Sequence, residues 1–257
     1  MSSYLEEVFG LRGRTAVVTG GSSGIGRAMA IALGRAGARI LLVARRPAPM
    51  AEVVAELAEF GAEGHAIAAD LADRAAVAQV IDKVLAEYGE PDVLVNSAGI
   101  NRRPPMDELT EDDWDVTLSA NLTAPFLLGQ AFGPRMAARG WGRIINVVSQ
   151  QAFRAYGNIG AYGAAKAGLV GLTRSQAEAW SRNGVCCNAI APGVVHTPLT
   201  EAVFADRDKV AGHAARTMIG RNGVPEDFGA CAVFLASDAA VAVTGQTLFV
   251  DGGYSAT

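Results

Sequence analysis

A serine, a tyrosine and a lysine have the order and spacing that proton exchange with an alcohol or a carbonyl oxygen requires. Tyr162 comes thirteen residues after Ser149, and Lys166 is four residues beyond the tyrosine. A spacing of four places Tyr162 and Lys166 on one helix face. A phenol has a pKa near 10 and needs a shift of roughly three units to exchange protons near neutral pH. An ammonium group at about 4 Å, with an effective dielectric of about 20, supplies about 4 kcal/mol, which is enough. An exposed pair on an amphipathic helix would have the same spacing.

A glycine-rich turn forms a second candidate site, between a β-branched run at 15–19 and a segment of helical composition at 24–36. Gly20, Gly24 and Gly26 have the spacing GxxxGxG, whereas the common dinucleotide fingerprint is GxGxxG. Glycines allow pyrophosphate to approach the backbone, and a helix N-terminus offers free N–H groups. The turn therefore predicts a dinucleotide site, although an ordinary strand-to-helix turn could also be rich in glycine.

Two arginines follow the second predicted strand, where the identity of a bound dinucleotide is usually decided. Enzymes that use NAD place an Asp or Glu near this point, on the ribose 2′-hydroxyl. Here the strand ends in Ala44, Arg45 and Arg46. Guanidinium groups bind phosphate through paired hydrogen bonds, so NADP is favoured over NAD, with NAD still possible. The alternative is two solvated arginines.

These side chains need a framework, and short apolar runs alternate with helical patterns along the chain. Strands are predicted at 15–19, 39–44, 64–69, 92–96, 143–149, 185–190 and 247–250. Helices are predicted at 24–36, 48–60, 77–85, 107–138, 160–181 and 225–236. Such alternation is typical of a doubly wound parallel α/β sheet with helices on both faces. We expect one domain over 1–257, in which the irregular stretch 192–224 forms a mobile flap over the substrate.

Composition excludes several other classes of protein. Half of the 257 residues are hydrophobic, and the net charge of −4 argues against a nucleic-acid partner. No apolar run approaches the roughly 18 to 20 residues that span a bilayer, so no membrane partner is expected. The first fifteen residues lack a signal-peptide core, and the three cysteines, Cys186, Cys187 and Cys231, form no metal-ligand pattern. We therefore expect a cytoplasmic protein with buried thiols and no metal.

Several short motifs, taken in order, are together specific for one family. They are TGGSSGIG at 19–26, Asp70-Leu71, NSAG at 96–99, Asn121, Ser149, YGAAK at 162–166, and Pro192-Gly193 with Thr197. With them the chain resembles the short-chain dehydrogenase/reductase family over nearly its whole length. The resemblance implies a single Rossmann-like domain with about seven parallel strands, assembled as a homodimer or homotetramer. It also implies hydride transfer between a nicotinamide cofactor and a carbonyl or secondary alcohol.

The resemblance also implies a role for each matching residue. Tyr162 would be the general acid/base, Lys166 would lower its pKa and bind the nicotinamide ribose, Ser149 would orient the substrate oxygen, and Asn121 would hold a water of a proton relay. The cofactor would contact Gly20, Ser22, Ser23, Gly24, Ile25, Gly26, Arg45, Arg46, Asp70, Leu71, Asn96, Ala98, Gly99, Pro192, Val195 and Thr197, besides Tyr162 and Lys166. Two residues depart from the family pattern: Ser97 replaces a more common Asn, and Ser22 and Ser23 include no basic residue.

The substrate is less closely defined by the sequence. Arg102 and Arg103 follow the NSAG motif and could attract an anionic substrate. Together with DDW at 112–114, this segment looks similar to the gluconate 5-dehydrogenase and deoxygluconate dehydrogenase branch. That resemblance suggests a sugar acid or polyol as the substrate. The residues expected to line the substrate pocket are Arg102, Gln150, Gln151 and Phe153.

His196 and His213 are expected to have structural roles. The segment 245–253 is expected to form an edge strand that packs on a partner subunit. A 3-oxoacyl-carrier-protein reductase and a non-catalytic, cofactor-binding regulator are the alternatives.

Overall fold

A seven-stranded parallel sheet forms the centre of the computed structural model, which describes residues 3–256. The strands are β1 Thr15–Thr19, β2 Arg39–Ala44, β3 Gly64–Ala68, β4 Val93–Asn96, β5 Gly142–Val147, β6 Val185–Pro192 and β7 Thr247–Val250. Their order is β3-β2-β1-β4-β5-β6-β7, and every pair is parallel. The chain reverses its direction of winding between β1 and β4. Ligands bind parallel sheets of this kind at the carboxyl ends of the strands beside that point.

Apolar side chains on both faces of the sheet explain why the strands read as continuous hydrophobic runs. Val18 and Leu42 face one apolar cluster, whereas their neighbours Val17 and Leu41 face another. Successive side chains of a strand point to opposite faces, so each run supplies both layers. The predicted doubly wound single sheet is confirmed, and each predicted strand lies within two residues of an observed one.

Helices cover the two faces. They are α1 Tyr4–Phe9, α2 Gly24–Arg35, α3 Pro47–Glu59, α4 Arg74–Lys83, α5 Glu111–Leu118, α6 Ala124–Ala138, α7 Gly160–Trp180, α8 Glu201–Phe204, α9 Arg207–Ala215 and α10 Gly229–Ala236. The long α7 places Tyr162 and Lys166 one turn apart, as predicted. Cys186 and Cys187 are buried thiols, whereas Cys231 is only half-buried.

The helix predicted over 107–138 is divided by a π-helical turn at Ser119–Thr123. Asn121 lies in this turn, and its side-chain Nδ2 donates to the carbonyl of Thr117, four residues earlier, at 2.9 Å. In a regular α-helix that carbonyl would accept only a backbone N–H. A side chain that inserts into the backbone hydrogen bonds of a helix is a known cause of kinks and π-helical turns. The interruption turns the asparagine toward the carboxyl edge of the sheet, where its other amide hydrogen meets the carbonyl of Ile100 at 2.9 Å.

The stretch 192–224 is more regular than the sequence indicated, since it contains both α8 and α9. Val195 forms an isolated parallel bridge with Gly223, which closes the stretch into a loop beside the sheet. Motion of this segment stays a prediction. β7 lies at the edge of the sheet, and its Leu248 and Phe249 side chains are partly exposed.

Candidate active site

A cleft of about 780 Å³ runs along the carboxyl ends of the central strands. Its walls come from the glycine-rich turn, the ends of β2, β4, β5 and β6, the start of α7, and the segment that carries α8 and α9. Most of the sequence-predicted residues meet here. Those that line the cleft are Gly20, Ser22, Ser23, Gly24, Ile25, Gly26, Arg45, Arg46, Asp70, Leu71, Ala98, Gly99, Arg102, Ser149, Gln150, Gln151, Tyr162, Lys166, Pro192, Val195 and Thr197.

The glycine-rich turn approaches its neighbours closely enough to exclude larger residues. Gly20 has φ +67°, and a Cβ there would lie 2.8 Å from the backbone nitrogen of Ala98. Gly24 has φ +53°, and its Cβ would lie 2.9 Å from Cγ2 of Thr197. Ser23, the N-cap of α2, makes no side-chain capping bond, so the first-turn N–H groups are left for a ligand. The turn therefore fits a pyrophosphate group.

The hydroxyl of Thr19 joins the glycine-rich turn to the NSAG motif, a role that sequence reasoning missed. Its Oγ1 donates to the carbonyl of Val95 at 3.3 Å and accepts from the N–H groups of Ser97 and Ala98 at 3.0 and 3.1 Å. The one signal in the sequence is a hydroxyl residue at the last position of a buried strand. Thr19 thereby fixes the position of one wall of the cleft relative to the other.

The end of the cleft near β2 fits the adenosine of a phosphorylated dinucleotide. Arg45 and Arg46 line it, and neither guanidinium forms an ion pair with another residue of the part that the structure describes. Asp70 lines the same end, and its Oδ1 accepts from the N–H of Ala72 at 3.0 Å. Two unpaired guanidinium groups suit a 2′-phosphate, and the second carboxylate oxygen of Asp70 can accept from an amino group. The donor set fits NADP.

At the opposite end, Ser149, Tyr162 and Lys166 are all buried. The Ser149 side chain lowers the pKa of Tyr162, and its Oγ accepts from the N–H of Gln151 at 3.2 Å. Lys166 is 3% exposed, and its Nζ donates to the carbonyl of Val147 at 2.8 Å. The same Nζ lies 5.6 Å from the centre of the Tyr162 ring. The three side chains therefore line one end of the cleft, where the lysine is bonded to the backbone of β5.

Burial has the largest effect on the pKa of both Tyr162 and Lys166. Burial raises the pKa of Tyr162 to about 12, although the Ser149 side chain and the charge of Arg103 lower it in part. Burial also lowers the pKa of Lys166 to about 7. In this structure Lys166 Nζ is bonded to the Val147 carbonyl, and its lowering of the phenol pKa stays a prediction. At neutral pH the tyrosine is protonated, and burial disfavours the charged form of the lysine.

Asn121 lies behind the triad and is fully buried. Its Nδ2 donates two hydrogen bonds, whereas its Oδ1 has no hydrogen-bond partner among residues 3–256. A Cβ at Gly99 would lie 2.6 Å from that oxygen and 3.7 Å from Lys166 Nζ. Only glycine fits at position 99, and an unsatisfied buried acceptor stands near the lysine. Such an acceptor is the kind of group that an ordered water satisfies.

Two predicted contacts lie outside the cleft. Asn96 is buried beneath it, where its Nδ2 donates to Asn146 Oδ1 at 2.8 Å, so its side chain ties β4 to β5. Phe153 is 45% exposed and packs on Phe249 with ring centroids 4.9 Å apart. A 3₁₀ turn at Gln150–Ala152 carries the phenylalanine past the opening of the cleft. The glutamine Gln150 lies inside instead, 4% exposed, and its Oε1 is unpartnered.

The two neighbouring arginines have different surroundings. Arg102 forms ion pairs with Asp112 and Asp113 at 2.8 and 2.7 Å, so its charge is balanced at the surface even though it borders the cleft. Arg103 also lines the cleft, forms no ion pair within residues 3–256, and acts electrostatically on both Tyr162 and His213. The free positive charge of the substrate end is therefore Arg103, whereas sequence reasoning had favoured Arg102 as the contact.

Two further lining residues, Tyr156 and His213, were missed as site residues. The Tyr156 hydroxyl and His213 Nε2 share a hydrogen bond of 2.8 Å. His196, in contrast, is exposed and stacks on Phe204 with ring centroids 4.3 Å apart.

Within residues 3–256, no group of three or more His, Cys, Asp or Glu side chains is arranged to hold a metal ion. The helices of that region include none with the length and apolar character needed to cross a membrane.

Comparison with known proteins decides the family. The family model described as enoyl-(acyl carrier protein) reductase matches residues 20–255. Among named relatives, the D-threitol dehydrogenase of Mycolicibacterium smegmatis is 43% identical over 249 residues, which cover 96% of this chain and 95% of that protein. The chain belongs to the short-chain dehydrogenase/reductase family.

Other short-chain dehydrogenase/reductase members resemble the chain over its full length. A crystal structure of a gluconate 5-dehydrogenase from Burkholderia cenocepacia, in complex with NADP and tartrate, has a TM-score of 0.93 and 37% identity and covers 99% of this chain and 100% of its own. The 3-oxoacyl-[acyl-carrier-protein] reductase of Escherichia coli is 36% identical and covers 94% of this chain and 97% of its own. The expected Rossmann-like fold and the expected class, an NAD(P)-dependent oxidoreductase, are confirmed by this membership.

Proposed function

We propose that the protein interconverts a secondary alcohol of a sugar acid or polyol with the corresponding ketone, using NADP. The observation that carries the proposal is one continuous cleft with unpaired arginines at the cofactor end and a buried Ser149–Tyr162–Lys166 group at the other. The D-threitol dehydrogenase relative supports a polyol, and the relative bound to NADP and tartrate supports a hydroxy acid.

In this proposal the protein's own residues manage the proton. When bound, NADP supplies or accepts the hydride. Ser149 holds the substrate oxygen against Tyr162, whose Oη donates its proton as a ketone is reduced and takes the hydroxyl proton as an alcohol is oxidised. The phenol is protonated at neutral pH, as reduction of a ketone requires, and Ser149 and the charge of Arg103 lower its pKa against the effect of burial. Lys166 and a water on Asn121 Oδ1 would return the proton from solvent.

The substrate class is supported by the polar groups at the reactive end. Gln150 and Gln151 line this end, and the buried oxygen of each side chain has no partner within residues 3–256. Buried polar groups without partners are costly, and substrate hydroxyls would satisfy them. Arg103 adds an unbalanced positive charge that suits a carboxylate. This lining is poorly matched to an acyl chain, so a 3-oxoacyl substrate is the second candidate, which relatives such as the Escherichia coli reductase support.

The proposal is tested by a substrate panel assayed through NADPH absorbance, with NADP and NAD in parallel. We expect turnover of gluconate or threitol with NADP, and little turnover of 3-oxoacyl thioesters. Tyr162→Phe should lower kcat by at least a hundredfold, whereas Tyr4→Phe, at an exposed position far from the cleft, should not change it. Turnover of thioesters alone would support the reductase alternative, and unchanged turnover in Tyr162→Phe would refute the assigned acid.

The assembly and location of the protein are part of the same proposal. The edge strand β7, with Leu248 and Phe249 partly exposed, would pack against a second copy in a cytoplasmic homodimer or homotetramer. The segment 192–224 would act as a flap over the substrate. Sedimentation that finds only monomer at micromolar concentration would contradict the assembly.

A further inference from the structure

One wall of the cleft is completed by a hydrogen bond that the proposed proton steps do not use. Tyr156 lies on the loop between β5 and α7, and His213 lies on α9, 57 residues away in the chain. Their 2.8 Å hydrogen bond joins these two segments where both line the cleft. The rings also pack together, with centroids 5.6 Å apart. The pair is therefore a fixed part of the wall at the substrate end.

The surroundings of His213 keep its ring neutral. The residue is only 8% exposed, and its ring centroid lies 6.5 Å from that of Tyr254. Burial lowers the pKa of His213 below 6.5, and the positive charges of Arg216 and Arg103 lower it further. A neutral imidazole either accepts a hydrogen bond from the Tyr156 hydroxyl or donates one to the Tyr156 oxygen, depending on its tautomer. In both cases the phenol oxygen keeps one unused hydrogen-bonding position.

We propose that Tyr156, held in place by His213, binds a substrate hydroxyl other than the one that is oxidised. This inference rests on the proposed function and narrows it to substrates with at least two hydroxyl groups. Gln150 supports the assignment, because it lines the same cleft and makes that wall polar. Tyr156 is a specificity residue in this scheme, and His213 is a positioning residue that acts through it. A site built to hydrogen-bond a hydroxyl discriminates strongly against analogues that lack it.

The test compares threitol, which has neighbouring hydroxyls, with butan-2-ol, which has a single secondary hydroxyl. Tyr156→Phe should raise KM for threitol about tenfold, the value of one good hydrogen bond, and change kcat less. Turnover of butan-2-ol, measured as kcat/KM, should stay unchanged. The ratio of the two kcat/KM values therefore falls about tenfold.

Variants of His213 separate positioning from a general structural effect. His213→Leu should reproduce the effect of Tyr156→Phe, and the double variant should be no worse than either single variant, because both remove one interaction. His213→Gln keeps a hydrogen-bonding group and should restore much of the threitol KM. His196→Asn, at an exposed histidine of the same segment, is the matched control and should leave both substrates unaffected.

The outcomes distinguish this subsite from the function on which it rests. Loss of activity that is equal for threitol and butan-2-ol in Tyr156→Phe, or no loss for either, refutes the subsite while the proposed function stands. Failure of the wild-type protein to oxidise any polyol or sugar acid refutes the proposed function and the subsite together. Thermal unfolding of each variant, followed by circular dichroism, identifies a variant that fails only because it is unfolded, and His213→Gln then decides the matter.

Discussion

Replacement of Lys166 by methionine should abolish activity and stabilise the protein, because the site holds an ammonium group that burial disfavours. The pKa of Lys166 falls from 10.5 to about 7, and each unit corresponds to about 1.36 kcal/mol. At pH 7 the buried lysine therefore costs the folded state about 4 kcal/mol. The variant loses the donor to the Val147 carbonyl, at a cost of about 1 to 3 kcal/mol. A net gain of about 2 kcal/mol remains, or roughly 5 °C in Tm for a chain of this size.

The pH dependence makes this prediction specific. Between pH 7 and 10.5 the unfolded lysine still holds a proton that the folded lysine has lost, so the wild-type protein gains stability as pH rises. The advantage of Lys166→Met should shrink by up to about 1.4 kcal/mol per pH unit, as urea unfolding at pH 7 and pH 9 would show. Lys83→Met, at an exposed lysine paired with Glu87, should give no such gain. A Lys166→Met protein that is less stable than the wild type at pH 7, or an advantage that persists at pH 9, would refute the reasoning.

Three other outcomes follow from the cleft. Arg45→Ala should raise the Kd for NADP about tenfold or more and leave that for NAD nearly unchanged, as measured by cofactor fluorescence; equal effects would contradict the 2′-phosphate contact. Gly24→Ala should abolish cofactor binding, because its Cβ would crowd Thr197 in a left-handed backbone, whereas Gly171→Ala, with no atom within 4 Å, should bind normally. Arg103→Gln should raise KM for gluconate at least tenfold and leave KM for threitol unchanged in steady-state kinetics; a similar change for both would exclude a carboxylate contact.

The sequence predicted the parts of the site that depend on local patterns. The bounds of β1 and β2 were predicted correctly to the residue, since buried parallel strands are continuous apolar runs. The spacing of Tyr162 and Lys166 on α7 followed from helix geometry alone. The small helix α1 escaped notice, although Ser3 and Glu6 form a capping box that the sequence displays.

The remaining site features depend on contacts between segments far apart in the chain. Arg102 and Arg103 are the same residue type at adjacent positions, and only the fold shows that Asp112 neutralises the first. The hydrogen bond between Tyr156 and His213 joins two segments that are far apart in the sequence, so no local sequence pattern predicts it. The effect of burial on the pKa of Tyr162 was not predicted either, because a charge at a helical spacing is visible in the sequence, whereas the exclusion of water is not.

The Thr19 hydroxyl has a consequence for redesign of this cleft. Because one oxygen bonds the backbone of Val95, Ser97 and Ala98, it ties the end of β1 to the loop that follows β4. Replacement of either loop to suit another cofactor would have to keep this hydroxyl or exchange both loops together. Arg45 and Arg46 take no part in these three bonds, so substitutions there should change cofactor choice while the bonds stay intact.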